Sequence, residues 1–417
     1  MLKRFATLQP LQLPLCLSDT DTLDLPITTG RTAPRLRLGL WLWAIMTAVI
    51  SIIAVIQPHR CISWIYRQAA EAWATASPLY APGLHGFLYF PTGTLVYGPF
   101  ALLLQPLDSH AWRLFLSASL VLAVRRYAHM LAPGAGAAVA GMILALTIPA
   151  AVIDLLRGQM TLLMAAILLV AAADAADGNH RRAGFWLALA VFVKPLALVP
   201  AMLIIVALPA AGPSFAASLL IGVAASMLHP HPDYAMAQWV AMIDKLRFAA
   251  APDSGTWFDI GALLKRLGLI GPTEPLFGLR LAAALSTLIL ALLAARRFET
   301  RTAVICCLHL GCCYLLLWNP RVEEGSYVML ALLVGGQAAV AIRTPGHERQ
   351  ALFAMCLCLA VGTHLYGDWI YRPTAFWIKQ VAALIHMAAL SWDIAVADLF
   401  HPPPQNIHVP SIENWQK

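Results

Sequence analysis

What most limits this chain is a succession of uninterrupted apolar runs, most of them close to the length that crosses the roughly 30 Å hydrocarbon layer of a bilayer. They fall at 38–56, 112–130, 137–153, 160–176, 183–208, 214–228, 276–295, 302–318, 328–342, 351–366 and 375–399. A bilayer interior offers no water to free backbone groups, so each run is expected to be a helix. Composition agrees, because only 12% of the residues are charged, against about 25% in a soluble domain. The fold class expected is an all-α polytopic integral membrane protein with about ten to thirteen transmembrane helices. Little of the chain remains for a water-soluble domain.

Short basic stretches separate the apolar runs: Arg31 to Arg37, His180 to Arg182, Arg296 to Arg301 and Arg343 to Arg349. The positive-inside rule assigns such stretches to the cytoplasm. The net charge of +7 is therefore read as a topology signal, and no nucleic-acid partner is expected. Residues 1–36 are expected to form a poorly ordered cytoplasmic arm, 37–399 a single transmembrane domain and 400–417 a polar tail. Residues 1–34 lack the apolar core of a signal peptide, so no cleaved signal is expected.

The two larger loops, 57–93 and 229–275, are expected on the outer side with 319–327 and 367–374, provided that 183–208 crosses twice. Between 94 and 176 one segment must be re-entrant, split or missed by this reading, and Arg125-Arg126 then fits either face. Residues 62–76 resemble an interfacial helix, with Trp64, Tyr66 and Trp73 at headgroup depth. Of eight cysteines, six lie in apolar runs and none forms a CxxC pair. Zinc and thioredoxin-like sites need that spacing, so neither a metal nor a cofactor is expected.

Candidate functional residues are the polar groups inside or beside apolar runs. Ionisable side chains at membrane depth are costly and mark interior or water-filled sites. Asp154, Arg157 and Gln159 precede the 160–176 run. Asp154 and Arg157, three apart, also fit a structural ion pair on one helical face. Lys194 interrupts the next run, has no acidic neighbour in its own helix and is followed by Pro195, which predicts two half-helices or a kink. Asn319-Pro-Arg-Val-Glu-Glu324 closes a later run.

The order and spacing of three motifs are similar to glycosyltransferase family 87, membrane enzymes with the GT-C fold. The first is Gly158-Gln159, an apolar helix, a basic turn, Ala183-Gly184 and Lys194-Pro195. The second is Tyr66, Ala69-Ala70, Pro78-Leu-Tyr80, Tyr89-Phe-Pro91 and Pro99. The third is Asn319-Pro-Arg321 with Glu323, Ser326 and Tyr327. The resemblance, over roughly residues 40–345, implies a GT-C-like bundle in a bacterial inner membrane with its active site facing outward. It also implies a polyprenyl-phosphate-linked sugar donor, mannose or another hexose, and a lipid or glycan acceptor, with inverting transfer.

Such transfer needs a carboxylate base and positive charge for the departing phosphate. The Asp that the family usually carries in the first loop has no counterpart in Pro58–Tyr66. The base is then sought among Glu323, Glu324 and Asp154, with His59 and Glu71 as weaker readings. Lys194, Arg157 and Arg321 are the phosphate candidates, and Gln159, Tyr89 and Asn319 the sugar or acceptor candidates. The contrasting reading is a non-catalytic protein on the same scaffold that binds or transports a lipid or glycan.

Overall fold

The structure, a computed structural model, describes residues 32–83, 85–250, 256–271 and 276–400. The expected N-terminal arm and C-terminal tail lie almost wholly outside the described residues. Within them the protein is helical: α1 (Thr32–Ile56), α2 (Ser63–Ala74), α3 (Gly93–Ala101), α4 (Leu107–Leu131), α5 (Gly136–Arg157), α6 (Met160–Ala176), α7 (His180–Val193), α8 (Leu198–Ala207), α9 (Gly212–Ser226), α10 (Pro232–Ala249), α11 (Ile260–Arg266), α12 (Phe277–Arg297), α13 (Thr300–Trp318), α14 (Val328–Ala341), α15 (Glu348–Val361), α16 (Asp368–Thr374) and α17 (Ile378–Phe400). Seven apolar segments are long enough to cross a membrane, and the chain is a multi-pass membrane protein.

Helices α1, α4–α9, α12–α15 and α17 pack on one another in a bundle. Two segments decide the topology. Residues 183–208 do run twice. Gly184 packs against Ala211 and Phe215, so the start of α7 and the start of α9 lie at the same end. The Lys194-Pro195 corner lies at the opposite end, beside Thr161 at the start of α6. In the first half, the non-crossing segment is α3. It is nine residues long and packs beside α2, where Tyr97 meets Tyr66. That closes the alternation and puts Arg125-Arg126 with the other basic turns. There Arg126 bonds Asp174 at 2.8 Å and Asp177 at 2.7 Å, and Arg301 lies 3.7 Å from Asp177.

Packing grades from centre to rim. The apolar window that contains α14 is wholly buried, whereas those of α9 and α12 are 17% buried. The rim helices present Leu220, Ile221, Leu285 and Ile289 outward, as a lipid-facing surface does. Small residues let backbones close up where helices cross. Gly39 of α1 meets the Gly141 backbone of α5, and Gly311 of α13 meets Pro200 of α8. At Gly184 a Cβ would stand 2.5 Å from the Ala211 carbonyl and 2.7 Å from the Phe215 nitrogen. Both obstacles are backbone and cannot rotate away. Gly184→Val is expected to force α7 from α9 and destabilise by about 1–3 kcal/mol. The check is a lower thermal transition in detergent beside wild type.

One expectation is corrected. Helix α2 does not lie on the membrane with all three aromatics at headgroup depth. Trp64 is exposed, but Tyr66 and Trp73 are buried in the protein. Tyr66 lies against Tyr89, Tyr97 and Trp112, and Trp73 against His229 and Tyr234. The apolar face of α2 is used for packing inside the molecule.

Candidate active site

At the end opposite the basic turns, four loop regions converge. Leu79 donates its backbone N–H to Gln238 at 3.0 Å, and Lys245 donates to the carbonyls of Ala81, Gly83 and His85 at 2.7, 2.5 and 2.8 Å. Phe258 donates its N–H to the Val322 carbonyl at 2.9 Å, and the Tyr371 hydroxyl donates to Glu324 at 3.1 Å. The four segments assigned to one side by charge counting therefore share one end. Beneath them is a cavity of about 700 Å³.

The polar wall of the cavity comes from helix ends, and local sequence explains why each helix stops there. A residue before proline is pushed out of the helical region into extended backbone. Lys194 precedes Pro195 and sits at φ −151°, ψ 118°, ending α7. Asn319 precedes Pro320 and sits at φ −69°, ψ 129°, ending α13. Both residues line the cavity. The third corner uses glycine. Gly158 closes α5 in the left-handed region at φ 69°, which favours glycine, and Gln159 then donates its N–H to the Asp154 carbonyl at 2.9 Å. A side chain on Gly158 would also press on Trp112 at 3.3 Å.

Arg157, Gln159 and Lys194 therefore reach the cavity from the α5–α6 and α7–α8 corners, and Arg321, Glu323 and Glu324 from the loop after α13. Lys194 donates from Nζ to Thr161 Oγ1 at 2.7 Å. Thr161 donates to Gln159 Oε1 at 3.3 Å, and Gln159 Nε2 donates to Glu323 Oε2. The Arg321 guanidinium lies 4.7 Å over the Trp257 ring. Burial lowers its pKa from the usual arginine value, and the charge of Glu323 works against that shift. Tyr89 lies in the wall with its hydroxyl 3.1 Å from that of Tyr66. Burial first, then Tyr89, pushes the Tyr66 hydroxyl well above its ordinary value. Burial raises the Tyr89 hydroxyl as well, so both phenols stay protonated and available as donors.

The two neighbouring glutamates are in different states. Glu324 is buried, accepts from Lys379 Nζ at 2.8 Å and from Tyr371 at 3.1 Å, and has His364 at 3.9 Å. Lys379 is wholly buried. This is a closed ion pair, with Glu324 in the cavity wall and Lys379 behind it. Burial raises the Tyr371 hydroxyl to about 12, so it remains a donor to Glu324. Glu323 is only part-buried and borders the cavity.

Asp154 is wholly buried one layer deeper, under Gly325, whose lack of a side chain leaves room for the carboxylate. Neither Asp154 oxygen has a hydrogen-bond partner among the described residues, so Asp154 and Arg157 do not make the bonded pair that their spacing allows. Its nearby charges are Lys194, Glu323, Arg157 and Lys379. Among the described residues no three His, Cys, Asp or Glu side chains converge as a metal ion requires.

Sequence reading missed Thr161 and Lys379. Thr161 is two residues past Gln159 on an otherwise apolar helix and is wholly buried. Lys379 could have been found by the same rule that singled out Lys194: an ionisable residue at the start of an apolar run.

A bundle of membrane-crossing helices that gathers cations and a part-buried carboxylate around one cavity is a membrane protein with a charged, partly apolar pocket at one end. A model of glycosyltransferase family 87 matches residues 87–320, more than half of the chain, and the chain belongs to that family: it is a multi-pass membrane glycosyltransferase. The matched stretch holds Tyr89, Gly158-Gln159, Lys194-Pro195 and Asn319, while Tyr66, Arg321 and Glu323 lie beyond its ends. No curated protein matches the chain.

Proposed function

We propose that the protein moves a hexose, mannose or a close relative, from a polyprenyl-phosphate donor to a lipid or glycan acceptor, with inversion. The transfer is one displacement at the outer face of a bacterial inner membrane. The acceptor oxygen bonds to the anomeric carbon as the bond from that carbon to the phosphate oxygen breaks. Glu323 takes the acceptor hydroxyl's proton. Lys194, with Arg157 and Arg321, holds the phosphate as it departs with the bonding electrons. Lys contributes a compact charge and Arg a planar fork that matches phosphate oxygens. Gln159, Asn319 and Tyr89 offer amide and phenol groups to the sugar or acceptor hydroxyls.

The observation that carries this reading is the shared cavity of Lys194, Arg157, Arg321 and Glu323, since Glu323 is the glutamate not locked in the Lys379 pair. Three further features support it. The cavity has the volume of a typical small-ligand site, about 300–1,000 Å³. Its other wall is apolar, with Ile62, Ile65, Leu196 and Leu246, which suits an isoprenoid chain. The basic turns gather at the far end of the bundle, which favours an outward-facing site.

The test is turnover by purified protein in lipid nanodiscs. A panel of polyprenyl-phosphate hexoses with a lipid acceptor should release polyprenyl phosphate and give a product of inverted anomeric configuration. Absence of turnover across the panel, with lipid binding retained, overturns the enzymatic reading in favour of a binding protein.

A further inference from the structure

We infer that Thr161 and Gln159 are positioning residues that tie the donor-phosphate cation Lys194 to the base Glu323 through one continuous hydrogen-bonded relay. The inference rests on the reaction proposed above and assigns roles within the same site. Thr161 is 0% and Gln159 3% exposed, and buried polar atoms left without partners are costly. The relay satisfies them in one arrangement. An ammonium can only donate, so Thr161 Oγ1 accepts from Lys194 at 2.7 Å. An ionised carboxylate can only accept, so the Gln159 amide must turn its Nε2 toward Glu323. Its Oε1 then faces Thr161, whose single hydroxyl proton fills the 3.3 Å gap. The charged ends fix the polarity of both neutral groups between them.

Two consequences follow for the site. One of the three Lys194 protons is committed to Thr161, which anchors the ammonium and leaves two for phosphate oxygens. Glu323 receives an amide N–H on Oε2, which leaves Oε1 for the acceptor hydroxyl. The relay thus sets, with one row of side chains, where the phosphate and the acceptor sit relative to each other. Alignment of the incoming oxygen with the departing one is what a displacement needs most. Gln159 stands at the α5–α6 corner and Thr161 one step inside α6, so both are carried by rigid backbone.

The test is Thr161→Val, which keeps shape and loses the hydroxyl, beside Thr161→Ser, which keeps the hydroxyl. Two readouts are used: steady-state turnover, and affinity for a short-chain polyprenyl monophosphate, which needs no turnover. In Thr161→Val, kcat should fall about tenfold and both donor KM and monophosphate Kd should rise at least about threefold, with acceptor KM unchanged. Thr161→Ser should restore all three to within about twofold of wild type. A packing role alone gives the opposite pattern: serine, the smaller residue, is the more damaged variant, and donor KM and Kd stay at wild-type values in valine. That pattern overturns the relay and leaves the proposed reaction standing. A wild type that neither binds the monophosphate nor turns over overturns the reaction, and the relay with it.

Discussion

Lys194→Ala is expected to lower kcat/KM for a polyprenyl-phosphate hexose by about 10²–10³ while the protein still folds. The magnitude is that of removing one preorganised charge from a developing anion in a site that excludes water, about 3–4 kcal/mol. Three features make Lys194 the cation with the largest effect. Its backbone is held extended by Pro195 at a corner between two helices, so its position does not depend on a flexible loop. Among the described residues its ammonium makes one hydrogen bond, to a neutral hydroxyl, and no carboxylate lies within the ion-pair distance to compete with phosphate. It is half-buried in the cavity wall, with the Asp154 carboxylate a layer deeper as a nearby charge, so an anionic ligand meets a cation already partly withdrawn from water. The fold should survive because the α7–α8 turn is built by Pro195 and by the Ala197 N–H bonding the Lys194 carbonyl at 2.9 Å, neither of which needs the side chain. The measurement is kcat/KM with a thermal transition beside it. Retained turnover within threefold of wild type, about 0.7 kcal/mol, would remove Lys194 from the phosphate site.

The fold was legible where apolar length carried the signal. Eleven runs read from the sequence correspond to helices, because a bilayer leaves a buried backbone few alternatives. The Lys194-Pro195 corner was legible for a local steric reason. The non-crossing α3 was not: Thr94 to Gln105 is as apolar as a short span, and only the packing of Tyr97 on Tyr66 shows that it stays at one end. Helix α2 misled for a related reason. Aromatic and charged residues at mixed spacing look alike whether the aromatics meet headgroups or a neighbouring loop, and here Tyr66 and Trp73 meet protein. Of the site, the cation and amide positions were legible as polar interruptions of apolar runs. The distinct states of Glu323 and Glu324 were not, since they depend on Lys379, 55 residues away from Glu324.

Those two glutamates give the second large effect, a separation of chemistry from stability between neighbours. Glu323→Gln keeps the shape and still accepts from Gln159 but cannot take a proton. It is expected to lower kcat by about 10²–10⁴, the usual worth of a positioned base, with donor KM and thermal transition close to wild type. Glu324→Gln removes the negative charge that faces Lys379, whose ammonium is wholly buried and 2.8 Å from Glu324 Oε1. Breaking one partner of a buried pair leaves the other charge uncompensated and costs about 3–5 kcal/mol. Glu324→Gln should therefore lose yield and thermal stability while its folded fraction keeps kcat within a few-fold of wild type. Restoring neutrality tests the cause: Lys379→Met in the Glu324→Gln background removes the stranded ammonium and should recover much of the lost stability. If Glu324→Gln instead proves stable and inactive, and Glu323→Gln turns over normally, the base has been assigned to the wrong carboxylate, and the Lys379 pair would have to open during the reaction to free it.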